Sequence, residues 1–378
     1  MPVKVLFYTH GLVDGGGERL WVCLATAFKQ RGYDVIFAQD FVADDNRNNL
    51  DPSIPLFTLG SNHIKSVGAL TRLLDEERPD VALSAVGGSG LKLLLARART
   101  QRAKTRTIIT YHGANEWATG LLSFMSYAGI AVMSRMADAV VAVADDLRVL
   151  LIDRWKAAGD KVITILNPVF FPKDAAVPTR AELMARPKTI LAVGRLAPEK
   201  DLVTLLRAFA MIDRPAARLL ILGKGAEEVR LRREIERLGL GLRVTLGGYN
   251  RDPWEAYRNA RAFVISSKSE AFGNVVVEAL AYGLPVVATA TTGPTQILAD
   301  GRYGRIVPIG NPFAMANALR AAIDDDGDPA ERRRRADAFS LDARVPAYEA
   351  LVRNVLGAGN GVIEPTSDDV ALLAGLSK

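Results

Sequence analysis

The chain has 378 residues, a net charge of +6 and hydrophobic side chains at 49% of its positions. That length exceeds one comfortable core and predicts two domains of ordinary soluble composition. The single cysteine, Cys23, excludes an intramolecular disulfide framework and fits a reducing compartment.

The chain enters directly on an apolar strand, Val3–Thr9, with no basic-then-apolar leader, which predicts a cytoplasmic protein. Gly15-Gly16-Gly17-Glu18-Arg19 then opens a helix on which Cys23 lies among Leu20, Trp21, Leu24 and Ala27, so a buried thiol is expected rather than a nucleophile. A glycine run between strand and helix lets backbone approach a ligand closely. A dinucleotide fingerprint would need glycine at Leu20, and although Asp40 has the spacing of a ribose-binding acid, that substitution argues against nicotinamide. Further strands are expected at Asp34–Ala38, Leu56–Leu59, Val81–Val86, Thr107–Tyr111, Ala139–Val143 and Val162–Leu166.

Between the strands at Val81 and Thr107 stand Lys92, Arg97, Arg99, Arg102, Lys104 and Arg106, with no acid among them. They begin on a helix whose other face carries Leu91, Leu93, Leu94 and Leu95, a pattern that suits an anionic membrane surface on the inner face. A solvated helix face is the plainer reading; nucleic acid lacks support, since no aromatic residues interleave the cations. His112 ends its strand. Trp117 to Ser134 is free of ionisable side chains over 18 residues, the lower edge of spanning length. Its Ser, Thr and Gly content predicts a buried or acceptor-facing helix instead.

The first strand series closes at Asn167-Pro168, and Pro172, Pro178 and Pro187 mark a linker over 171–188. A second series follows: Thr189–Val193, Leu219–Leu222, Val244–Leu246, Ala262–Ser266, Pro285–Thr289 and Gly304–Val307. Continuous apolar strands alternating with helices indicate parallel sheets covered on both faces. The expected organisation is α/β, two doubly wound Rossmann-like domains facing a central cleft: 1–170, the linker, 189–345, and a helix and tail at 346–378. The apolar turn Val370 to Leu376 is expected to dock on the first domain. Ligands of such sheets bind beyond the carboxyl ends of the strands.

Gly194-Arg195-Leu196-Ala197-Pro198-Glu199-Lys200-Asp201 follows a strand at that end. Arg195 offers a planar fork and Lys200 a point charge to a diphosphate, and Asp201 a cap for the next helix. Gly223-Lys224-Gly225 lacks the Ser/Thr of a triphosphate loop and reads as a strand-end turn. Asp324-Asp325-Asp326 superficially suggests a metal motif, but no His/Cys cluster accompanies it; a solvated helix end is expected, and no metal. Arg332 to Arg335 are assigned to a surface helix.

Residues 267–290 are the most informative stretch. Glu270 and Glu278 are eight positions apart, separated by Ala271-Phe272-Gly273-Asn274, which opens a helix between two apolar strands. Free N–H groups at such a helix start point toward an anion. The segment resembles the Glu-x7-Glu signature of family 4 retaining glycosyltransferases, which have the GT-B fold. The resemblance implies that Glu270 lies beside a donor sugar and Glu278 bonds the nucleotide ribose, with Phe272, Gly273 and Asn274 at the donor. It also implies that Arg195 and Lys200 neutralise the diphosphate, that His112 contacts the sugar, that Gly16 and Gly17 approach phosphate and acceptor, and that Tyr249 lies at the base. The family usually has glycine at Ala271 and at Asp201; a left-handed backbone at Ala271 would cost about 1 kcal/mol.

The implied activity is retaining transfer of a hexose or N-acetylhexosamine to a glycan or lipid-linked acceptor in cell-surface polysaccharide or glycolipid synthesis, with no cofactor besides the nucleotide sugar. Thr292-Gly293-Pro294-Thr295-Gln296-Ile297 resembles a run in bacterial members that use UDP-sugars. A GDP-mannose-dependent mannosyltransferase, a nucleotide-sugar epimerase and a donor-binding protein without turnover are the alternatives.

Overall fold

The computed structural model describes residues 2–12, 16–43, 46–85, 87–113, 117, 120–173, 175–325 and 327–357. Gly15, Asp326 and the tail with Val370 to Leu376 lie outside the described residues. The chain divides into two compact units. One runs to Phe170 and takes back the helix from Leu341; the other runs from Phe171 to Ser340.

In the first unit seven strands, β1 Lys4–Thr9, β2 Asp34–Gln39, β3 Leu56–Thr58, β4 Val81–Ser84, β5 Arg106–Tyr111, β6 Ala139–Ala142 and β7 Val162–Thr164, form one parallel sheet. Its order is β3-β2-β1-β4-β5-β6-β7. Every residue of β4 and β6 is buried. Alternation along β1 sends Val5 and Phe7 to one face and Leu6 and Tyr8 to the other, so each face has its own core. On the first face Phe7 meets Trp21 and Phe28 edge-on at 5.5 Å. Val345, Tyr348, Leu351 and Val352 of the helix Leu341–Gly357 complete that core. On the other face Val67, Leu70 and Leu74 of the helix His63–Glu77 cover the sheet.

The second unit holds β8 Thr189–Val193, β9 Arg218–Leu222, β10 Val244–Leu246, β11 Ala262–Ile265, β12 Val286–Thr289 and β13 Arg305–Val307. All are parallel, in the order β10-β9-β8-β11-β12-β13. The strand order turns between β1 and β4 in one sheet and between β8 and β11 in the other. At such switches the flanking crossovers part and leave a crevice beyond the carboxyl ends.

Two charge assignments fail against this framework. The stretch from Lys92 to Arg106 is not a continuous basic face backed by leucines. Lys92, Leu93 and Leu94 are buried, and Lys92 reaches Asp40 at 2.5 Å. Arg97 and Arg106 both hold Asp138. Likewise Arg332 and Arg335 are buried rather than on a surface helix. Arg335 donates to Ile297 O and Gln296 O, and Arg332 to Gly283 O, so these guanidinium forks bind backbone carbonyls where helices end.

Candidate active site

The switch between β8 and β11 is where the sequence-derived residues of the second unit gather. β8 runs into Gly194-Arg195, then a single turn, Pro198–Lys200, and then the helix Leu202–Ala210. β11 runs into Ser266-Ser267 and the Glu270 turn, and the helix Asn274–Ala281 starts behind Gly273. Lys200 Nζ lies 2.5 Å from Glu270 Oε2, each side chain about a fifth exposed. Ser267 donates to the same carboxylate at 3.2 Å. Arg195 is largely exposed and pairs with Glu199 at 2.9 Å. A crevice between these loops is lined by Gly194, Arg195, Lys200, Ser266 and Ser267. A concavity of about 300 Å³ lies where β12 and β13 begin, at the opposite edge, and its Asp325 is already held by Arg305 and Arg332.

Backbone stitching fixes the two loops to each other. Ser266 Oγ donates to Lys200 O at 2.7 Å, the Lys268 amide donates to Glu199 O at 2.7 Å, and Thr289 Oγ1 donates to Ser267 O at 2.6 Å. These serines and Thr289 were not singled out as site builders in the sequence.

The turn itself depends on two glycines. Gly273 has φ +93°, a left-handed conformation that costs a side chain. A Cβ at Gly293 would fall 2.0 Å from Phe272 O, and the Gly293 amide donates to Glu270 O at 3.1 Å. The run Thr292 to Ile297 therefore clamps the Glu270 turn. Ala271 is not among the residues with positive φ, so the missing family glycine carries no strain there. Asp201, the other departure, does sit left-handed, at φ 45°. It stands at the helix start but makes no side-chain cap to backbone; its carboxylate accepts from Thr204 Oγ1 at 2.8 Å. The expected capping bond is thus absent.

Glu278, one turn into its helix, is 7% exposed and accepts from Tyr257 OH at 2.7 Å. Tyr257 stacks on Tyr282, which stacks on Trp254, so an aromatic stack orients the carboxylate. Sequence reading missed this support; the signal was two aromatics in the short helix Trp254–Asn259 and a third, Tyr282, at the end of the Glu278 helix. Tyr249, just beyond β10, has the Lys224 ammonium 4.5 Å over its ring.

The remaining candidates belong to the first unit. Gly16 and Gly17 are the first residues of the helix Gly16–Gln30. His112 follows β5. Thr110 Oγ1 donates to Ser84 O at 2.8 Å, so it must accept from His112 Nε2, 2.9 Å away. That leaves the Nδ1 lone pair without a partner among the described residues. Burial pushes the His112 pKa down to about 4, and the ring is neutral at physiological pH. Asp40 is fully buried and is bonded by Tyr8 at 2.8 Å, His10 at 2.7 Å and Lys92, which excludes it from binding a ribose. Burial acts to raise its pKa, but those three donors prevail and lower it.

Two family models match the chain: Glycosyltransferase Family 4 over residues 14–170 and Glycosyl transferases group 1 over 179–339. The chain belongs to the family 4 glycosyltransferases. The lipopolysaccharide core biosynthesis glycosyltransferase LpsE of Rhizobium meliloti is 34% identical over 36% of this chain and 40% of its own length. A GDP-mannose-dependent alpha-mannosyltransferase of Mycobacterium tuberculosis is 39% identical over 34% of this chain and 33% of its own. The chain thus spans well under two thirds of the length of these relatives. Anabaena HepE, solved with UDP, has the same GT-B fold, with a TM-score of 0.76 at 19% identity over 94% of this chain and 100% of HepE. Among the described residues no group of three metal-ligating side chains occurs. Asp324 is the exposed end of its helix, as expected, and pairs there with Lys188 and Arg214; Asp325 is instead drawn inward by Arg305 and Arg332.

Proposed function

We propose that this chain transfers a hexose or N-acetylhexosamine from a UDP-sugar to a glycan or lipid-linked acceptor, with retention at the anomeric carbon, in cell-surface polysaccharide or glycolipid synthesis. The observation that carries the reading is the accessible Lys200–Glu270 pair at the β8/β11 switch, beside the helix start at Gly273. The ammonium has three donors and gives one to Glu270, so the others remain for a diphosphate, while Arg195 can leave Glu199 for the same anion. As the sugar–phosphate bond breaks, charge grows on the leaving oxygens, and preorganised cations with open N–H groups lower that barrier. The departing phosphate accepts the acceptor's proton, so no separate base is required. Glu278, held by Tyr257, takes the ribose hydroxyls. His112, Gly16 and Gly17 keep the roles the resemblance implies for them.

UDP is favoured by the Thr292 to Ile297 run and by the nucleotide bound to HepE. The mannosyltransferase relative supports a second reading with GDP-mannose. Calorimetry with UDP and with GDP, followed by transfer assays across both donor classes with soluble and lipid-linked acceptors, separates them. Tighter GDP binding with mannose transfer replaces the first reading by the second. An inverted anomeric product rejects retention, and isomerisation of the donor without an acceptor rejects transfer.

A further inference from the structure

Most of the stretch without ionisable side chains lies in two short helices, Leu121–Ala128 and Ile130–Met136, joined through Gly129 in a helical conformation. One side is core: Tyr127, Ile130 and Met133 are buried. The other side is apolar and uncovered by the described residues. Leu121 is 76% exposed, Val132 63%, and Phe124, Met125 and Met136 between 41% and 49%. Spacings of three and four keep them in one stripe, roughly 24 Å long at 1.5 Å per residue. An exposed patch of this kind is an interaction surface, not ordinary scatter.

Charge identifies what covers it. No carboxylate occurs from Leu121 to Ala137, and Arg135 stands exposed on the stripe. The first acid after the stripe, Asp138, is held by Arg106 at 2.8 Å and by Arg97 at 3.8 Å. Those bonds fix the loop carrying the exposed Arg99, Arg102 and Lys104 to the end of the stripe. The acid beneath that loop, Asp75, is spent on the amides of Gln101, Arg102 and Ala103. An apolar helix face edged by cations, on a chain whose described helices are all too short or too polar to span a bilayer, is the pattern of an interfacial helix.

We infer that the Leu121–Met136 face docks the protein on an anionic lipid surface, with Leu121, Phe124 and Val132 in the acyl boundary and Arg135 with the loop cations among the headgroups. This replaces Lys92 and the leucines at 93 and 94 as the membrane contact. It deepens the lipid-linked acceptor reading but does not need it, because binding is measured without any donor.

The test uses the full chain with vesicles of phosphatidylethanolamine and phosphatidylglycerol in equal parts, and with phosphatidylcholine alone. The wild type is expected to sediment with the anionic vesicles, less so at high salt. Leu121→Ser/Phe124→Ser/Val132→Ser should lower vesicle partitioning by about tenfold or more, from lost apolar burial. Phe313→Ser, an equally exposed side chain of the second unit, should change nothing. A polarity-sensitive dye on Phe124→Cys, with Cys23 buried, should shift to the blue only on anionic vesicles and decides the matter alone if the triple variant fails to fold. Equal sedimentation of wild type and triple variant overturns the proposal, as does no sedimentation of the wild type. A dye already blue without vesicles also overturns it, and dependence on protein concentration would then mark a second copy rather than the chain itself as the cover. Transfer to a soluble acceptor, measured in parallel, reports separately on the catalytic reading.

Discussion

Each sheet carries a lysine–carboxylate pair at 2.5 Å near its carboxyl edge, and the two pairs do opposite things. Lys92 and Asp40 are 4% and 0% exposed; Lys200 and Glu270 are 20% and 17% exposed. The first pair is closed by Tyr8 and His10 and has no room for another partner. The second is partly open to solvent in a crevice, and among the described residues its carboxylate takes one further side-chain bond, from Ser267. A buried pair is a structural commitment, because losing one partner strands the other charge. An accessible pair contributes little to stability and is free to exchange partners. The same two charges thus brace one unit and prepare the other for a ligand.

The comparison breaks if the two lysines behave alike on removal. Lys92→Ala should destabilise the first unit by about 3–5 kcal/mol, since Asp40 is left charged and buried. A urea titration followed by Trp21 fluorescence reads this, and a shift no larger than that of a surface variant would make the pair ornamental. Lys200→Ala should leave that titration unmoved and lower turnover by about a hundredfold, more than it changes the donor Michaelis constant. If only the Michaelis constant moves, Lys200 binds the ground state and the leaving-group argument fails.

Acid should sharpen the contrast, because His112 and Asp40 of the first unit are both displaced downward by their surroundings. The folded pKa of His112, about 4, lies below its ordinary value of 6.5. The unfolded chain therefore binds the proton first as pH falls, and stability is full above about 6.5 and declines down to about 4. His112→Phe should flatten that part of the stability profile. Asp40, also lowered, contributes only further into acid. An unchanged profile in the His112 variant would place the ring in contact with solvent. The smallest effect expected is at Glu278: Glu278→Gln should weaken UDP binding by about tenfold, the share of a charged hydrogen bond over a neutral one. Unchanged affinity by calorimetry removes Glu278 from the ribose.

What could be read from the sequence followed from local pattern. All thirteen strands lie where continuous apolar runs predicted them, because a strand buried on both faces has no polar side to confuse its period. Arg195, Lys200, Glu270 and Gly273 could be placed together because each follows a strand at its carboxyl end. Charges were read less well. Lys92 finds Asp40 across 52 positions, and Arg335 finds the end of another helix 38 positions away. A run of cations looks the same in sequence whether it faces water or carbonyls. Ala271 and Asp201 show the same limit for backbone: only the coordinates reveal that one family glycine was dispensable and that the other was replaced by a residue that tolerates the left-handed region.

The helix Leu341–Gly357 has a consequence for how this chain is made. Tyr348, Val352 and Val355 share a core with Trp21, Phe28 and Val35, yet translation delivers them some three hundred residues later. The second unit has all its strands and most of its helices in one unbroken segment and can fold as it leaves the ribosome. The unit begun first must wait, with Trp21 and Phe28 without that part of their core, until the helix from Leu341 has been made. Synthesis order and the order in which the two cores are completed are therefore reversed.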